Sequence, residues 1–171
     1  MKPATALAIR LLALDVDGVL TDGAIIYGND GEELKAFSIK DGLGIKLLQR
    51  AGIEVAIITG RESQIVQRRA RELGIERIIQ GREDKLTALR ELAQILELEL
   101  EQCAYMGDDL PDLGAIIDAG LGMTVADAVR AVADCAQWQS SLAGGAGAVR
   151  EAAEFILRCR GQLEDIERGY R

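Results

Sequence analysis

Three short apolar segments, each ending in a polar residue, constrain the fold of this chain more than any other feature of its sequence. They are IRLLALD (9–15), IEVAIIT (53–59) and QCAYMGD (102–108). Segments of this length and composition are typical of strands buried on both faces, as in a parallel sheet. Between them, apolar residues recur at spacings of three and four, which is the helical period. The alternation predicts an α/β fold with a doubly wound, Rossmann-like parallel sheet.

The segment 24–38 departs from this alternation. It contains two extended pieces around GNDG, which is a hairpin signal. We expect a β-hairpin that serves as a flap over a site, as an oligomer contact or as an ordinary surface hairpin. Because the chain has 171 residues and only two prolines, without a long linker, we expect residues 1–171 to form a single domain.

Composition argues against several classes of protein. The chain has 28 acidic and 20 basic residues, a net charge of −8, and its basic residues are dispersed, so nucleic acid is not an expected partner. It has no histidine and three widely spaced cysteines, so we expect no zinc site, disulfide framework or histidine-dependent nucleophile. No apolar run approaches the ~18 residues of a membrane span. We therefore expect a cytoplasmic protein without a membrane partner.

Polar residues follow the ends of the predicted strands. Ligands of open parallel sheets bind outside the carboxyl ends of the strands, so we expect these residues to lie close together. Carboxylates that share a site raise one another's pKa unless a cation joins them, and a cluster of oxygen ligands suits Mg²⁺. The sequence therefore predicts a magnesium site. The residues are Asp15 and Asp17, then Thr59, Gly60 and Arg61, then Lys85, and finally Asp108, Asp109 and Asp112.

Taken in order, DVDGVLTDG, ITGRES, Lys85 and GDDLPD resemble the four motifs of the haloacid dehalogenase (HAD) superfamily of phosphohydrolases. Three longer segments, 31–48, 69–86 and 142–157, are similar to the subgroup of phosphatases that act on 3-deoxy-D-manno-octulosonate 8-phosphate. The resemblance covers nearly the whole chain. It implies a HAD-like fold without a cap domain, with the hairpin at 24–38 near the site, and assembly as a homotetramer.

The resemblance also implies catalytic roles. Asp15 would be the nucleophile that forms an aspartyl-phosphate, and Asp17 would protonate the leaving alkoxide and then activate water. Thr59 would hold the phosphoryl oxygens, and Lys85 would neutralise charge on the transferring group.

The implied metal ligands come from two of the motifs. The family pattern places Mg²⁺ on the Asp15 carboxylate, the main-chain carbonyl of Asp17 and the Asp108 carboxylate. Asp109 and Asp112 would act as outer or water-mediated partners of the metal.

The implied substrate is a phosphorylated sugar acid, whose carboxylate needs cations. The family usually has Arg where this chain has Lys46 and Ala146; a lysine lacks the bidentate geometry of arginine, and an alanine lacks the charge. By resemblance, the sugar-acid pocket would be lined by Asp17, Ser38, Ile39, Lys40, Asp41, Gly42, Lys46, Gly60, Arg61, Arg69 and Lys85.

Several alternatives stay open at this point. Within the same chemistry, the substrate could be a nine-carbon sugar-acid 9-phosphate, or the enzyme could be a broad-specificity sugar phosphatase. A phospho-accepting receiver domain also combines Asp, Thr, Lys and magnesium on a doubly wound sheet, but receivers carry their acidic pair and their phosphorylated Asp on different strands. A scaffold without catalytic activity is disfavoured by the complete set of motif residues.

Overall fold

A six-stranded parallel sheet forms the centre of the structure, a computed structural model that describes residues 3–170. A separate antiparallel pair forms the hairpin. In chain order, the strands are β1 (Leu11–Leu14), β2 (Ile26–Tyr27), β3 (Glu33–Leu34), β4 (Glu54–Ile58), β5 (Arg77–Ile79), β6 (Cys103–Gly107), β7 (Leu121–Thr124) and β8 (Trp138–Gln139).

The order of the strands in the sheet is β5-β4-β1-β6-β7-β8. Strands β4 and β5 therefore lie on one side of β1, and β6, β7 and β8, which come later in the chain, lie on the other side. Strand β1 pairs in parallel with both β4 and β6, so the carboxyl ends of these three strands are neighbours. The position where the order reverses is the usual ligand site of a doubly wound sheet.

Strand β1 is buried on both faces, as its apolar sequence predicts. Leu12 and Leu14 pack in the core on one face of the sheet, and Leu11 and Ala13 pack in the core on the other face. Successive side chains of a strand point to opposite faces, so an uninterrupted apolar strand needs helices on both sides. The prediction of a doubly wound α/β fold is confirmed.

Helices cover both faces of the sheet. Ser38 caps helix α2 (Ile39–Arg50) by accepting a hydrogen bond from the Asp41 N–H, and Asp84 caps helix α4 (Lys85–Ile95) by accepting one from the Thr87 N–H. Gly74 ends helix α3 (Gln64–Leu73) with a φ of 66°, a left-handed conformation that favours glycine. The helices are α1 (Pro3–Ala8), α2 (Ile39–Arg50), α3 (Gln64–Leu73), α4 (Lys85–Ile95), α5 (Leu113–Asp118), α6 (Arg130–Ala133), α7 (Ala148–Cys159) and α8 (Leu163–Arg168).

The hairpin lies where GNDG predicts it. Ile26 pairs with Leu34 and Tyr27 pairs with Glu33, so each of its strands contains only two residues. The Gly28 N–H donates to the Glu32 carbonyl at 2.7 Å and closes the turn. The connection that leads into the hairpin begins directly after β1. Within residues 3–170, each helix is too short or too polar to cross a lipid bilayer.

Candidate active site

Three adjacent strands deliver polar side chains to one cleft at the carboxyl edge of the sheet. Asp15 follows β1, Thr59 follows β4 and Asp108 follows β6. The cleft has a volume of about 380 Å³. It is lined by Asp15, Asp17, Gly23, Thr59, Gly60, Arg61, Glu83, Lys85, Asp108, Asp109, Pro111 and Asp112.

A larger hollow of about 550 Å³ lies at the opposite edge of the sheet. Its lining includes Arg10, which precedes β1, and Glu54, which begins β4. None of the predicted catalytic or metal-binding residues lines this hollow. We therefore place the candidate site in the smaller cleft, on the grounds of its chemistry rather than its volume.

Lys85 connects two carboxylates at the base of the cleft. It is the first residue of α4, and its side chain is 3% exposed. Its Nζ lies 3.0 Å from Oδ1 of Asp15 and 2.9 Å from Oδ1 of Asp112. Burial opposes the charge of Lys85, but the two carboxylates outweigh it and raise the pKa of the ammonium group above its usual value. Lys85 therefore carries a positive charge beside Asp15.

Asp112 is the structural centre of the site. Its Oδ1 accepts hydrogen bonds from Lys85 and from the Tyr105 hydroxyl, the latter at 2.7 Å. Its Oδ2 accepts from the backbone N–H groups of Asp108 and Asp109 at 3.1 and 3.2 Å. Because four donors already use both oxygens, Asp112 fixes Lys85 and the loop after β6 rather than facing the cleft as a free ligand.

Sequence reasoning missed Tyr105. This residue lies within β6 and is completely buried, and its burial, followed by the charge of Asp112, raises the pKa of its hydroxyl well above the usual value. The hydroxyl is therefore a hydrogen-bond donor at any ordinary pH. The sequence could have indicated this residue, because a tyrosine in an otherwise apolar strand is buried, and a buried phenol hydroxyl needs a polar partner.

The carboxylates that face the cleft are suited to a cation. Burial, followed by the charge of Asp112, raises the pKa of Asp15 to about 6 and that of Asp108 to about 7. Oxygen atoms of Asp15, Asp108 and Asp112 lie within 4.8 Å of one another. This oxygen-only donor set fits the predicted magnesium ion. Asp15 and Asp108 are the pair best placed to hold it, because the Asp112 oxygens have other partners.

Glycine permits the close packing around Asp108. Gly18 has a φ of 91°, and a Cβ atom at this position would lie 2.0 Å from Oδ2 of Asp108. On the other side of the same loop, a Cβ atom on Gly144 would lie 1.8 Å from the Gly18 carbonyl oxygen. The loop after β1 is therefore held between the Asp108 carboxylate and the 143–147 segment.

Asp17 lies at the mouth of the cleft and contacts the hairpin. Its Oδ1 forms an ion pair with Lys35, and its Oδ2 lies 3.8 Å from Nε of Arg61. Arg61 in turn lies 3.4 Å from Oε1 of Glu33 and 3.5 Å from the Tyr27 hydroxyl. Charged contacts therefore join the hairpin to Asp17 and Arg61 of its own chain. Sequence reasoning did not single out Lys35, because a charged residue in a hairpin is usually exposed.

The structure places the segment 38–42 outside the cleft. Ile39 and Lys40 are exposed, whereas Asp41 is 1% exposed. The Asp41 carboxylate accepts a hydrogen bond from the Arg150 N–H at 2.8 Å, so it caps the start of α7. Ser38 and Gly42 do not line the cleft of the described chain either. Their contact with substrate stays a prediction.

Lys46 and Arg69 also lie away from the cleft. The Lys46 ammonium lies beside Gly74, at the end of α3. The Arg69 guanidinium lies against Gly42 and 5.8 Å from the centre of the Phe37 ring. Among the predicted carboxylate-binding cations, Arg61 is the one that lines the cleft in residues 3–170. The roles of Lys46 and Arg69 in substrate binding stay predictions, and Ala146 is exposed.

Comparison with known sequences agrees with the resemblance drawn from the motifs. A family model described as haloacid dehalogenase-like hydrolase matches residues 38–120. The 3-deoxy-D-manno-octulosonate 8-phosphate phosphatase KdsC of Yersinia pestis is 48% identical over 156 residues, covering 91% of this chain and 83% of the relative. KdsC of Escherichia coli strain K12 is 47% identical over 159 residues, covering 93% of this chain and 85% of the relative.

Solved structures show the same similarity. The phosphatase of that name from Moraxella catarrhalis, in complex with a magnesium ion, a phosphate ion and KDO, has a TM-score of 0.98 and 47% identity, over 99% of this chain and 97% of that chain. The cobalt-bound phosphatase from Haemophilus influenzae has a TM-score of 0.90 and 42% identity, over 93% of each chain. These matches extend over the sheet and the hairpin, well beyond the short motifs.

Proposed function

Because the chain belongs to the haloacid dehalogenase-like hydrolases, and among them to the 3-deoxy-D-manno-octulosonate 8-phosphate phosphatases, we propose that it hydrolyses 3-deoxy-D-manno-octulosonate 8-phosphate to KDO and phosphate. This reaction supplies a precursor of lipopolysaccharide. The observation that carries the proposal is the placement of Asp15 beside Lys85, at 3.0 Å, with Asp17 and Asp108 in the same cleft.

In the first step, a carboxylate oxygen of Asp15 attacks phosphorus, and the bond between phosphorus and the sugar oxygen breaks. Asp17 gives its proton to the leaving oxygen, so the sugar departs as an alcohol rather than as an alkoxide. Lys85 stabilises the charge of the phosphoryl oxygens as the group transfers, and Thr59 donates a hydrogen bond to them. The product is an aspartyl-phosphate on Asp15.

In the second step, Asp17 takes a proton from water, and the water oxygen attacks phosphorus. The bond between phosphorus and the Asp15 oxygen breaks, which releases phosphate and regenerates both carboxyl groups. Asp15 and Asp108, with the Asp17 carbonyl, would hold Mg²⁺, which supplies charge neutralisation for the phosphoryl group. Asp112, itself hydrogen-bonded to Tyr105, holds Lys85 and the loop that carries Asp108 in position.

The experiment that tests the function is phosphate release from a panel of sugar phosphates, each assayed with and without magnesium. The panel contains the eight-carbon acid 8-phosphate, a nine-carbon acid 9-phosphate and a neutral hexose 6-phosphate. We expect the highest kcat/KM for the eight-carbon acid. A preference for the nine-carbon acid, or equal activity on all three, would instead support the alternative substrate or broad specificity. No release from any phosphate ester would contradict the phosphatase proposal.

Arg61 is the proposed partner of the substrate carboxylate. Its side chain is 44% exposed at the mouth of the cleft, where a ligand can reach it. A charge-assisted hydrogen bond contributes about 1.5–3 kcal/mol. We therefore predict that Arg61→Ala lowers kcat/KM for the sugar-acid phosphate about ten- to a hundredfold, mainly through KM, and changes it far less for a hexose 6-phosphate. An equal loss on both substrates would mean that Arg61 binds the phosphoryl group or only supports the hairpin.

We propose that the protein assembles as a homotetramer through its hairpins. Ile25, Ile26, Tyr27 and Leu34 are between 46% and 65% exposed, which makes the hairpin an unusually apolar surface. A second copy of the hairpin would cover these side chains. We predict a tetramer in light scattering at micromolar concentration and a smaller species for the double variant Ile26→Glu, Leu34→Glu. A wild-type monomer would contradict the proposal.

A cytoplasmic location is a further prediction from the sequence.

A further inference from the structure

One buried cation at the site has no part in the reaction scheme above. Lys35 directly follows β3 of the hairpin, and its side chain is only 1% exposed. Its Nζ forms an ion pair with Oδ1 of Asp17 and lies 3.5 Å from Oε1 of Glu33. Arg61 approaches the other carboxylate oxygen of Asp17 and the same oxygen of Glu33. Two cations and two carboxylates therefore join the hairpin to the catalytic loop.

Burial makes this contact more significant than an ordinary surface ion pair. Removing a lysine ammonium from water is costly unless it is well paired, whereas exposed pairs contribute little. The hairpin has only two residues in each strand, so its own hydrogen bonds hold it weakly. The Lys35–Asp17 pair is thus well suited to restrict both the hairpin and the rotation of the Asp17 side chain.

We propose that Lys35 is a positioning residue that orients the Asp17 carboxyl group toward the oxygen of the leaving group. The inference rests on the proposed function, since it concerns the proton that Asp17 transfers. Lys35 keeps its own proton throughout: Asp17 gives one proton to the leaving oxygen and later takes one from water. Proton transfer requires donor and acceptor within about 2.6–3.2 Å, so an Asp17 side chain that rotates freely would transfer its proton less efficiently.

This role makes a prediction that depends on the leaving group. A sugar oxygen leaves poorly without a proton, whereas p-nitrophenolate is a stable anion that leaves without one. We expect Lys35→Met to lower kcat for the sugar-acid phosphate and for hexose 6-phosphate about ten- to a hundredfold, because general acid–base catalysis contributes about 10²–10⁴ and displacement by 1 Å can cost about 10². Asp17 acts as the base in the second step with every substrate, so only the first step depends on the leaving group. The rate of aspartyl-phosphate formation from p-nitrophenyl phosphate, measured as the burst of p-nitrophenolate, should therefore stay within about threefold of the wild type. The same rate from the two sugar phosphates, measured by rapid quench, should fall.

Two further variants provide controls. Lys35→Arg keeps a cation at the hairpin and should recover part of the lost kcat on the sugar phosphates. Glu32→Gln changes the charge of an exposed neighbour in the same hairpin and should behave as the wild type on all three substrates. Thermal melting and light scattering of each variant would report on folding and assembly. The pattern also differs from that of Arg61→Ala, which should affect the sugar acid far more than the hexose phosphate.

The inference would be overturned by an equal loss, on all three substrates, in the rate of aspartyl-phosphate formation, which would indicate a role in phosphoryl transfer or in folding. Unchanged kinetics of Lys35→Met would overturn it as well. In both cases the wild type remains an active phosphatase, so the proposed function survives. A wild type without phosphatase activity would instead contradict the proposed function, and the role of Lys35 would be contradicted as well.

Discussion

Asp15→Asn is expected to abolish phosphate release, with kcat at least about a thousandfold below the wild type, because a neutral amide does not form the aspartyl-phosphate. The fold should persist, since asparagine has nearly the same size as aspartate. The amide loses the charge that pairs with Lys85, but Lys85 keeps its contact with Asp112 at 2.9 Å. The substitution therefore removes the nucleophile and leaves the surrounding hydrogen bonds largely in place.

The measurement is phosphate release by the purified variant, together with circular dichroism and thermal melting. Mass spectrometry of acid-quenched wild-type enzyme should detect a phosphoryl group on Asp15 during turnover. Asp22→Asn is a matched control, because Asp22 is exposed and its Oδ1 accepts a backbone hydrogen bond that asparagine can also accept. Near-normal activity of a folded Asp15→Asn variant would reject the nucleophile assignment.

Removal of magnesium is expected to have the second largest effect. Asp15 and Asp108 are buried beside Asp112, and burial followed by the charge of Asp112 raises the pKa of each above its ordinary value. A divalent cation would favour their ionised forms and stabilise the pair. We expect EDTA to reduce phosphate release at least about a hundredfold, and excess Mg²⁺ to restore it.

Asp108→Ala should weaken magnesium binding at the same site without a chelator. We expect the half-saturating Mg²⁺ concentration to rise more than about tenfold and kcat to fall at least about a hundredfold. Substituting a residue that only supports a metal ligand already lowers metal affinity or activity about 10–100-fold, and Asp108 is a predicted ligand itself. Calorimetric titration with Mg²⁺ measures the affinity separately from turnover. Asp134→Ala, which removes an exposed carboxylate, should match the wild type in both measurements. Activity that survives EDTA would contradict the magnesium assignment.

Local sequence was sufficient to predict the central strands and several of the helices. The predicted segments 9–15, 53–59 and 102–108 contain β1, β4 and β6, because apolar residues without a polar face can be buried only within the sheet. Strands β5, β7 and β8 were not predicted. They contain RII, LGMT and WQ, which are too short, or too mixed in composition, to differ from loop segments.

The sequence by itself also determined which residues meet at the edge of the sheet. Asp15, Thr59 and Asp108 each follow a strand, and parallel strands in a doubly wound sheet bring their carboxyl ends to the same side. This argument needs only the order of motifs along the chain. The approximate position of Asp17 follows from the same argument, because it lies two residues after Asp15.

Tertiary structure alone decided how the supporting residues are used. Asp112 was expected as an outer or water-mediated partner of the metal, and the sequence did not show that its own partners would be Lys85, Tyr105 and backbone donors. Asp41 caps a helix that begins more than 100 residues later, through the Arg150 N–H. Lys35 contacts Asp17 only because the hairpin packs against the loop after β1. The physical reason is that hydrogen-bond partners and burial depend on side chains distant in sequence, which periodicity and local motifs do not encode.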